Sequence, residues 1–215
     1  MIRVLLADDH AMVRAGLKEL LSATGEIEVT GEATNGHEVL AAAREGAFDV
    51  LVLDMSMPGR SGIELIKIVK AEHPNLRMLV LSMHSEKQYA VRAVKAGASG
   101  YLTKESAPAE LVAAIRRVAG GGSYITPETV ERLVLDSRDR SNGPVHARLS
   151  DREFEVFRMI VAGRTVTDIA TELNLSVKTI STHKSRILEK MELSSQAELV
   201  RYAYQNGLLD ADGAS

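Results

Sequence analysis

The chain of 215 residues contains no cysteine. Disulfides, thiolate nucleophiles and cysteine-ligated metals are therefore excluded, and a reducing compartment is compatible with this. No apolar run approaches the roughly 18 residues that a membrane-spanning helix needs. The amino terminus, Met1-Ile2-Arg3-Val4-Leu5-Leu6-Ala7-Asp8-Asp9, meets two acids too soon for a signal peptide. A cytoplasmic location with no membrane partner is expected. A strong charge excess is missing as well. Lys+Arg number 26 and Asp+Glu 29, a net charge of −3, so global charge gives no hint of nucleic acid. What is there is ordinary for a globular protein, with 45% hydrophobic and 26% charged residues. The length suits one large or two small domains.

Short apolar runs alternate with helical patterns through the first half. Ile2 to Ala7, Val29 to Ala33, Val50 to Leu53, Met78 to Leu81 and Gly100 to Leu102 read as strands. Between and after them, apolar residues recur at helical spacing, as in Met12, Val13, Leu17, Leu20 and Leu21, or Leu111, Val112, Ile115 and Val118. Five strands alternating with five helices predict an α/β domain whose parallel sheet is covered on both faces. Gly120-Gly121-Gly122 ends the last helix. A phosphate-binding loop would need a preceding strand or a following Gly-Lys-Ser/Thr, and neither is there. Thr126-Pro127-Glu128 starts a connector helix. Residues 137–147, SRDRSNGPVHA, read as a flexible linker. From Leu149 onward every periodic segment is helical. The expected organisation is an α/β domain over 1–122, a connector over 123–147 and a small all-α domain over 148–215.

In a parallel α/β sheet, functional groups gather beyond the carboxyl ends of the strands. Asp8 and Asp9 follow the first strand, Asp54 ends the third, Ser82 ends the fourth and Lys104 follows the fifth. With strand order 2-1-3-4-5 these side chains converge on one rim. Clustered carboxylates repel one another unless a cation lies between them, and oxygen donors suit Mg²⁺. A lysine and a hydroxyl suit phosphoryl oxygens. Any one of these residues is ordinary at a strand end as a cap, a turn residue or a solvated charge. Together they point to phosphoryl transfer onto a carboxylate.

ADDH at 7–10, LVLDMSMPGRSG at 51–62, VLSMH at 80–84 and GYLTK at 100–104 closely resemble the receiver domain of bacterial response regulators. The resemblance implies a flavodoxin-like fold in which Asp54 accepts a phosphoryl group from a sensor histidine kinase. It also implies that Asp9, Asp54 and the Ser56 backbone carbonyl bind Mg²⁺, with Asp8 acting through a metal-bound water. Lys104 and Ser82 would contact the phosphoryl group, Tyr101 would turn inward with it, and Pro58-Gly59 would shape the loop after the acceptor. One departure is Glu105, where many members carry a proline with a cis bond.

The carboxyl-terminal segment reads as four helices. Ser150 and Glu153 form a capping box. Val156, Phe157, Ile160 and Val161 make the buried stripe of the first helix, and Gly163 ends it. Thr165 to Leu173 and Val177 to Met191 are joined by a tight turn at Asn174-Leu175-Ser176, the helix-turn-helix pattern. In the second helix of the pair, Ile180, His183, Ile187 and Met191 face the core. His183 thus reads as a core histidine. Lys178, Thr179, Ser181, Thr182, Lys184, Ser185 and Arg186 remain outward, as candidates for DNA or as the solvated basic face of a helical bundle. Residues 176–190 hold four basic residues and one acid, a local +3 within a domain of 9 basic and 10 acidic residues.

The stretch LSDREFEVFRMIVAGRTVTDIATELNLSVKTISTHKSRILEKMEL resembles the LuxR-type helix-turn-helix domain. Receiver plus this domain is similar to the NarL/FixJ-type response regulators. That resemblance implies a transcription factor controlled by phosphorylation of Asp54, binding promoter DNA as a homodimer and acting with RNA polymerase. It further implies that Gln196, Leu199, Val200 and Ala203 form the dimer contact on DNA. Two other readings compete. An aspartate-nucleophile phosphatase would place a second acid where Ser56 stands, and an adaptor would use the helical domain to bind protein.

Overall fold

All five apolar runs form strands. In the computed structural model, β1 (Ile2–Ala7), β2 (Ile27–Ala33), β3 (Val50–Asp54), β4 (Arg77–Ser82) and β5 (Gly100–Thr103) build one sheet in the order β2-β1-β3-β4-β5. Every neighbouring pair is parallel. The structure describes residues 1–57, 62–82, 87–106, 108–138 and 144–208, without the side chains of 87, 88, 128, 132 and 135–138. Pro58-Gly59, expected to shape the loop after the acceptor, and 139–143 of the expected linker lie outside the described residues. Peptide bonds among the described residues are trans.

The inner strands β1, β3 and β4 belong to this sheet because they are apolar on both faces, whereas the edge strand β2 alternates buried and exposed residues. β3 is buried at all five positions and β4 at five of six. On one face Val4, Leu6, Val50, Val52, Leu79, Leu81 and Leu102 pack with Leu111, Ile115 and Val118 of α5 (Pro108–Ala119) and Leu21 of α1 (Ala11–Ser22). The alternate residues Leu5, Leu51 and Leu53 are buried too, as are Val39 and Leu40 of α2 (Gly36–Glu45) and Leu65, Ile66 and Val69 of α3 (Gly62–Glu72). α4 (Lys87–Ala96) lies against α3 and β5. Gly100 opens β5 where an added Cβ would stand 2.7 Å from Leu79 Cδ1 and 3.0 Å from the Tyr124 carbonyl oxygen. Tyr124 closes on that bare backbone. Its N–H donates to Ser99 O and its carbonyl accepts from Tyr101 N–H, both at 3.0 Å, which pairs the first part of the open edge of β5.

The chain divides into two compact units, Met1–Arg132 and Leu133–Ser215, the division falling within the residues of α6 (Pro127–Arg138). The α/β unit thus runs past residue 122, because Tyr124 pairs with β5. The helical unit begins before residue 148. Its 3-10 turn Val145–Arg148 buries His146, whose Nδ1 lies 2.7 Å from the Tyr202 hydroxyl. Residues 144–147 therefore belong to structure and not to a linker.

The helical unit comprises α7 (Asp151–Val161), α8 (Val166–Glu172), α9 (Val177–Met191) and α10 (Gln196–Gln205). Its core is Phe154, Phe157, Ile160, Ile169, Ile180, Ile187, Leu199 and Ala203, all essentially buried. The Ser150–Glu153 capping box starts α7, and a second box, Thr165–Asp168, starts α8. Asn174 takes the left-handed conformation, φ 51°, in the turn to α9, where its short polar side chain tolerates the strain. The Ser176 hydroxyl accepts from Thr179 N–H and caps α9.

Candidate functional site

Backbone bonds carry the ladder just past the strand ends. Asp8 N–H donates to Ala33 O, Met55 N–H to Leu81 O and Lys104 N–H to Ser82 O, at 3.1, 3.2 and 2.8 Å. Asp8, Asp54, Ser82 and Lys104 are thereby held at adjacent strand ends. Asp8 and Asp54 are 1% exposed and Ser82 0%. The Lys104 ammonium donates to Asp8 Oδ2 and Asp54 Oδ2, each at 2.7 Å. Asp54 Oδ1 accepts from Ser56 N–H at 3.1 Å, and Asp8 Oδ1 accepts from His10 N–H at 2.7 Å. Asp9 is more open, with its Oδ1 2.9 Å from His10 Nδ1. Tyr101 is buried in β5.

Burial sets the electrostatics. It pushes the Asp54 carboxyl above the ordinary range, the Lys104 ammonium pulling the other way and Asp8 adding to the rise. Burial alone would lower the Lys104 ammonium, but its bonds to Asp54 and Asp8 outweigh that and hold it above the usual lysine value. The lysine is charged, and Asp54 is a more basic carboxylate than most, which suits a nucleophile. One ligand atom from each of Asp8, Asp9, His10 and Asp54 falls within 4.8 Å of the others. A largely carboxylate set of this kind fits a hard divalent cation. His10 entered this cluster without being expected there; its place directly after the acidic pair was the available signal.

The second set lies on α9. Ile180 and Ile187 are 0% exposed and Met191 3%, so the inward stripe is as expected. His183 is half-buried and its Nδ1 has no hydrogen-bond partner. Lys178, Ser181, Thr182, Ser185 and Arg186 are exposed, and Thr179 and Lys184 partly so. The hydroxyls of Ser181, Thr182 and Ser185 donate to backbone carbonyls four residues back, at 2.9, 2.9 and 3.1 Å. On α10 the expected dimer contact needs correction. Leu199 and Ala203 are 0% exposed within the unit's own core and present nothing to a partner. Gln196 and Val200 are exposed, and Tyr204, which the sequence reading missed, is 78% exposed four residues after Val200.

Residues 4–116 match the response regulator receiver domain, and residues 147–203 match the luxR family of bacterial regulatory proteins. The chain belongs to the response regulators. It is 36% identical over 217 residues to the response regulator UvrY of Escherichia coli K12, covering 100% of this chain and 99% of that protein. It is 39% identical to the response regulator GacA of Pseudomonas viridiflava, over 98% of this chain and 99% of that one. Among solved structures, the RcsB response regulator of Salmonella typhimurium is 31% identical with a TM-score of 0.71, over 95% of this chain and 97% of that chain. RcsB bound to a promoter in the presence of the phosphomimetic BeF3− is 30% identical with a TM-score of 0.67, over 95% of this chain and 98% of that chain. Receiver plus LuxR-type helix-turn-helix is the architecture of DNA-binding transcription regulators, not of enzymes. No helix among the described residues of this response regulator is long and apolar enough to cross a membrane.

Proposed function

We propose that Asp54 accepts a phosphoryl group from a histidine kinase and that the modification strengthens binding of α9 to promoter DNA. The observation that carries this reading is the buried pair Asp8 and Asp54 bridged by one lysine ammonium at the carboxyl rim of the sheet. An Asp54 oxygen attacks phosphorus, the phosphorus–nitrogen bond of the phosphohistidine breaks with its electron pair going to that nitrogen, and neutral imidazole leaves, its other ring nitrogen already carrying the proton. Asp9, Asp54 and the Ser56 carbonyl would hold Mg²⁺, with Asp8 acting through a water. When bound, Mg²⁺ supplies positive charge that offsets the acids against the incoming phosphate. Lys104 supplies a second positive charge. Ser82 gains a charge-assisted hydrogen bond to the new group, and Tyr101 repacks with it.

Lys178, Lys184 and Arg186 neutralise phosphates, while Thr179, Ser181, Thr182 and Ser185 approach base edges. A domain with no net positive charge gains affinity by pairing, and Val200 with Tyr204 offers an exposed apolar face on α10 for that homodimer. RcsB dimers bound to DNA, 29% identical to this chain with a TM-score of 0.58, support pairing on DNA. The setting is the cytoplasm, with RNA polymerase as the next partner. The test is the mass of the chain after incubation with Mg²⁺ and a small acyl phosphate. One phosphoryl adduct is expected, absent when Mg²⁺ is chelated and absent in Asp54→Ala. An adduct at full yield in Asp54→Ala refutes the assignment.

A further inference from the structure

We infer that Gln196 is a positioning residue for DNA binding, its amide oxygen orienting the Lys184 ammonium without neutralising it. This rests on the reading of α9 as the DNA-facing helix. Lys184 Nζ donates to Gln196 Oε1 at 2.7 Å, across the gap from α9 to the first residue of α10. An ammonium can only donate, so the amide must present its oxygen. One of the three ammonium hydrogens is then used and two remain for a phosphate.

The start of α10, which carries the acceptor's backbone, is well anchored. Ser195 caps α10 by accepting from Glu198 N–H, Ser194 donates both its N–H and its hydroxyl to the Glu198 carboxylate, and Leu199 is buried. A lysine side chain has many rotamers, and fixing them before DNA arrives lowers the ordering cost at binding. The acceptor is also uncharged, so the lysine keeps its full positive charge.

Lys190 shows the contrasting arrangement. It stands 2.6 Å from the carboxylate of Glu153, which is itself buried. Burial would raise the Glu153 carboxyl, but bonds from Lys190 and Ser150 outweigh it and hold the group below the usual carboxylate range, so the pair is ionised. The charge of Lys190 is therefore spent inside the unit. Lys178 and Arg186 have neither a hydrogen bond nor an ion pair among the described residues. Lys184 is the DNA-facing cation of α9 that combines an undiminished charge with a fixed direction.

The experiment measures binding of the full-length phosphorylated chain to a mixed-sequence DNA duplex at several salt concentrations. It compares the parent, Gln196→Ala, Gln196→Glu, Lys184→Ala and the double variant Gln196→Glu with Lys184→Ala. Melting temperatures confirm folding, and sedimentation gives the dimer fraction. Gln196→Ala is expected to weaken binding several-fold with the salt slope kept. Gln196→Glu pairs with the lysine and should lower the slope by about one, as Lys184→Ala does. In the Lys184→Ala background, Gln196→Glu should then cost little more, as residues acting through each other are non-additive. An equal loss in both backgrounds overturns the inference, because the new carboxylate would then act on DNA directly. A change in dimer fraction with an unchanged salt response overturns it in favour of a dimer contact. Salt-sensitive binding by the parent that Lys184→Ala leaves unaltered overturns the inference alone. Parent protein that does not bind DNA overturns both the inference and the reading beneath it.

Discussion

Lys104 stands 2.7 Å from Asp54, and the same ammonium stands 2.7 Å from Asp8. Two buried carboxylates thus share one fixed cation, and removing it leaves charge in a poorly hydrated place. Lys104→Met should destabilise the receiver unit by about 3 kcal/mol in chelator. Added Mg²⁺ should restore much of the loss, since a divalent cation among Asp8, Asp9 and Asp54 can take over the compensation. Urea unfolding with and without Mg²⁺ measures both. Equal stability of parent and variant in chelator would show that a proton, and not the lysine, balances the acids.

Ser82 is 0% exposed at the end of β4, one ladder bond from Lys104. A phosphoryl group on Asp54 gives its hydroxyl a partner stronger than any neutral one. Ser82→Ala is therefore expected to take up the phosphoryl group yet gain little DNA affinity from it. Ser82→Thr keeps the hydroxyl and should retain the gain. Binding measured before and after phosphorylation decides. An equal gain in Ser82→Ala and the parent would place the switch elsewhere.

The rim was legible because it follows from the period of the chain. Asp8, Asp54, Ser82 and Lys104 each end an apolar run, and parallel strands put such ends side by side. Tyr124 was not legible. One residue bridging to Gly100 after a glycine run has no period to betray it. On α9 the spacing of Ile180, Ile187 and Met191 sufficed. On α10 the dimer set came from resemblance, and the helix's own period contradicts half of it. Leu199 and Ala203, four apart, point inward, and Val200 and Tyr204, also four apart, point outward. The second capping box, Thr165 with Asp168, had the right spacing but an acid shorter than the usual glutamate.

That correction yields a separable pair of outcomes. Val200→Asp and Tyr204→Asp change exposed positions and should leave the melting temperature nearly unchanged. Both should weaken binding to a duplex carrying two half-sites more than to one carrying a single half-site. Leu199→Ala empties a core position and should cost about 2–5 kcal/mol of stability. If Tyr204→Asp spares two-site binding, the pairing face lies elsewhere.

The α9 hydroxyls donate backward into their own helix, leaving lone pairs outward. In that state Thr182 can only accept, so it suits the exocyclic amino groups of adenine or cytosine in the major groove. Selection of bound fragments from a random duplex pool gives the preferred site. Thr182→Val, which keeps the shape, should relax preference at one position by roughly 1–3 kcal/mol with the salt slope intact. An unaltered preference in Thr182→Val would remove this residue from base reading.

His183 gives the helical unit a pH signature. Burial lowers its imidazole below the usual histidine value, and the cations of Arg152 and Arg186 lower it further, Glu153 opposing. Its Nδ1 is buried and has no partner to stabilise an added proton. The unfolded chain binds that proton at about pH 6.5, before the folded chain does. The stability it contributes is therefore complete above about pH 6.5 and is lost as pH falls from there toward the folded value. The loss stays below about 1.4 kcal/mol per pH unit, the limit for one proton, because the half-buried ring is partly screened by solvent. His183→Gln cannot titrate, and comparing it with the parent cancels the carboxylates that the two share. Between pH 7 and 5 the parent should lose more melting temperature than His183→Gln. Parallel losses in the two proteins would show that His183 takes up its proton as readily in the folded chain as in the unfolded one.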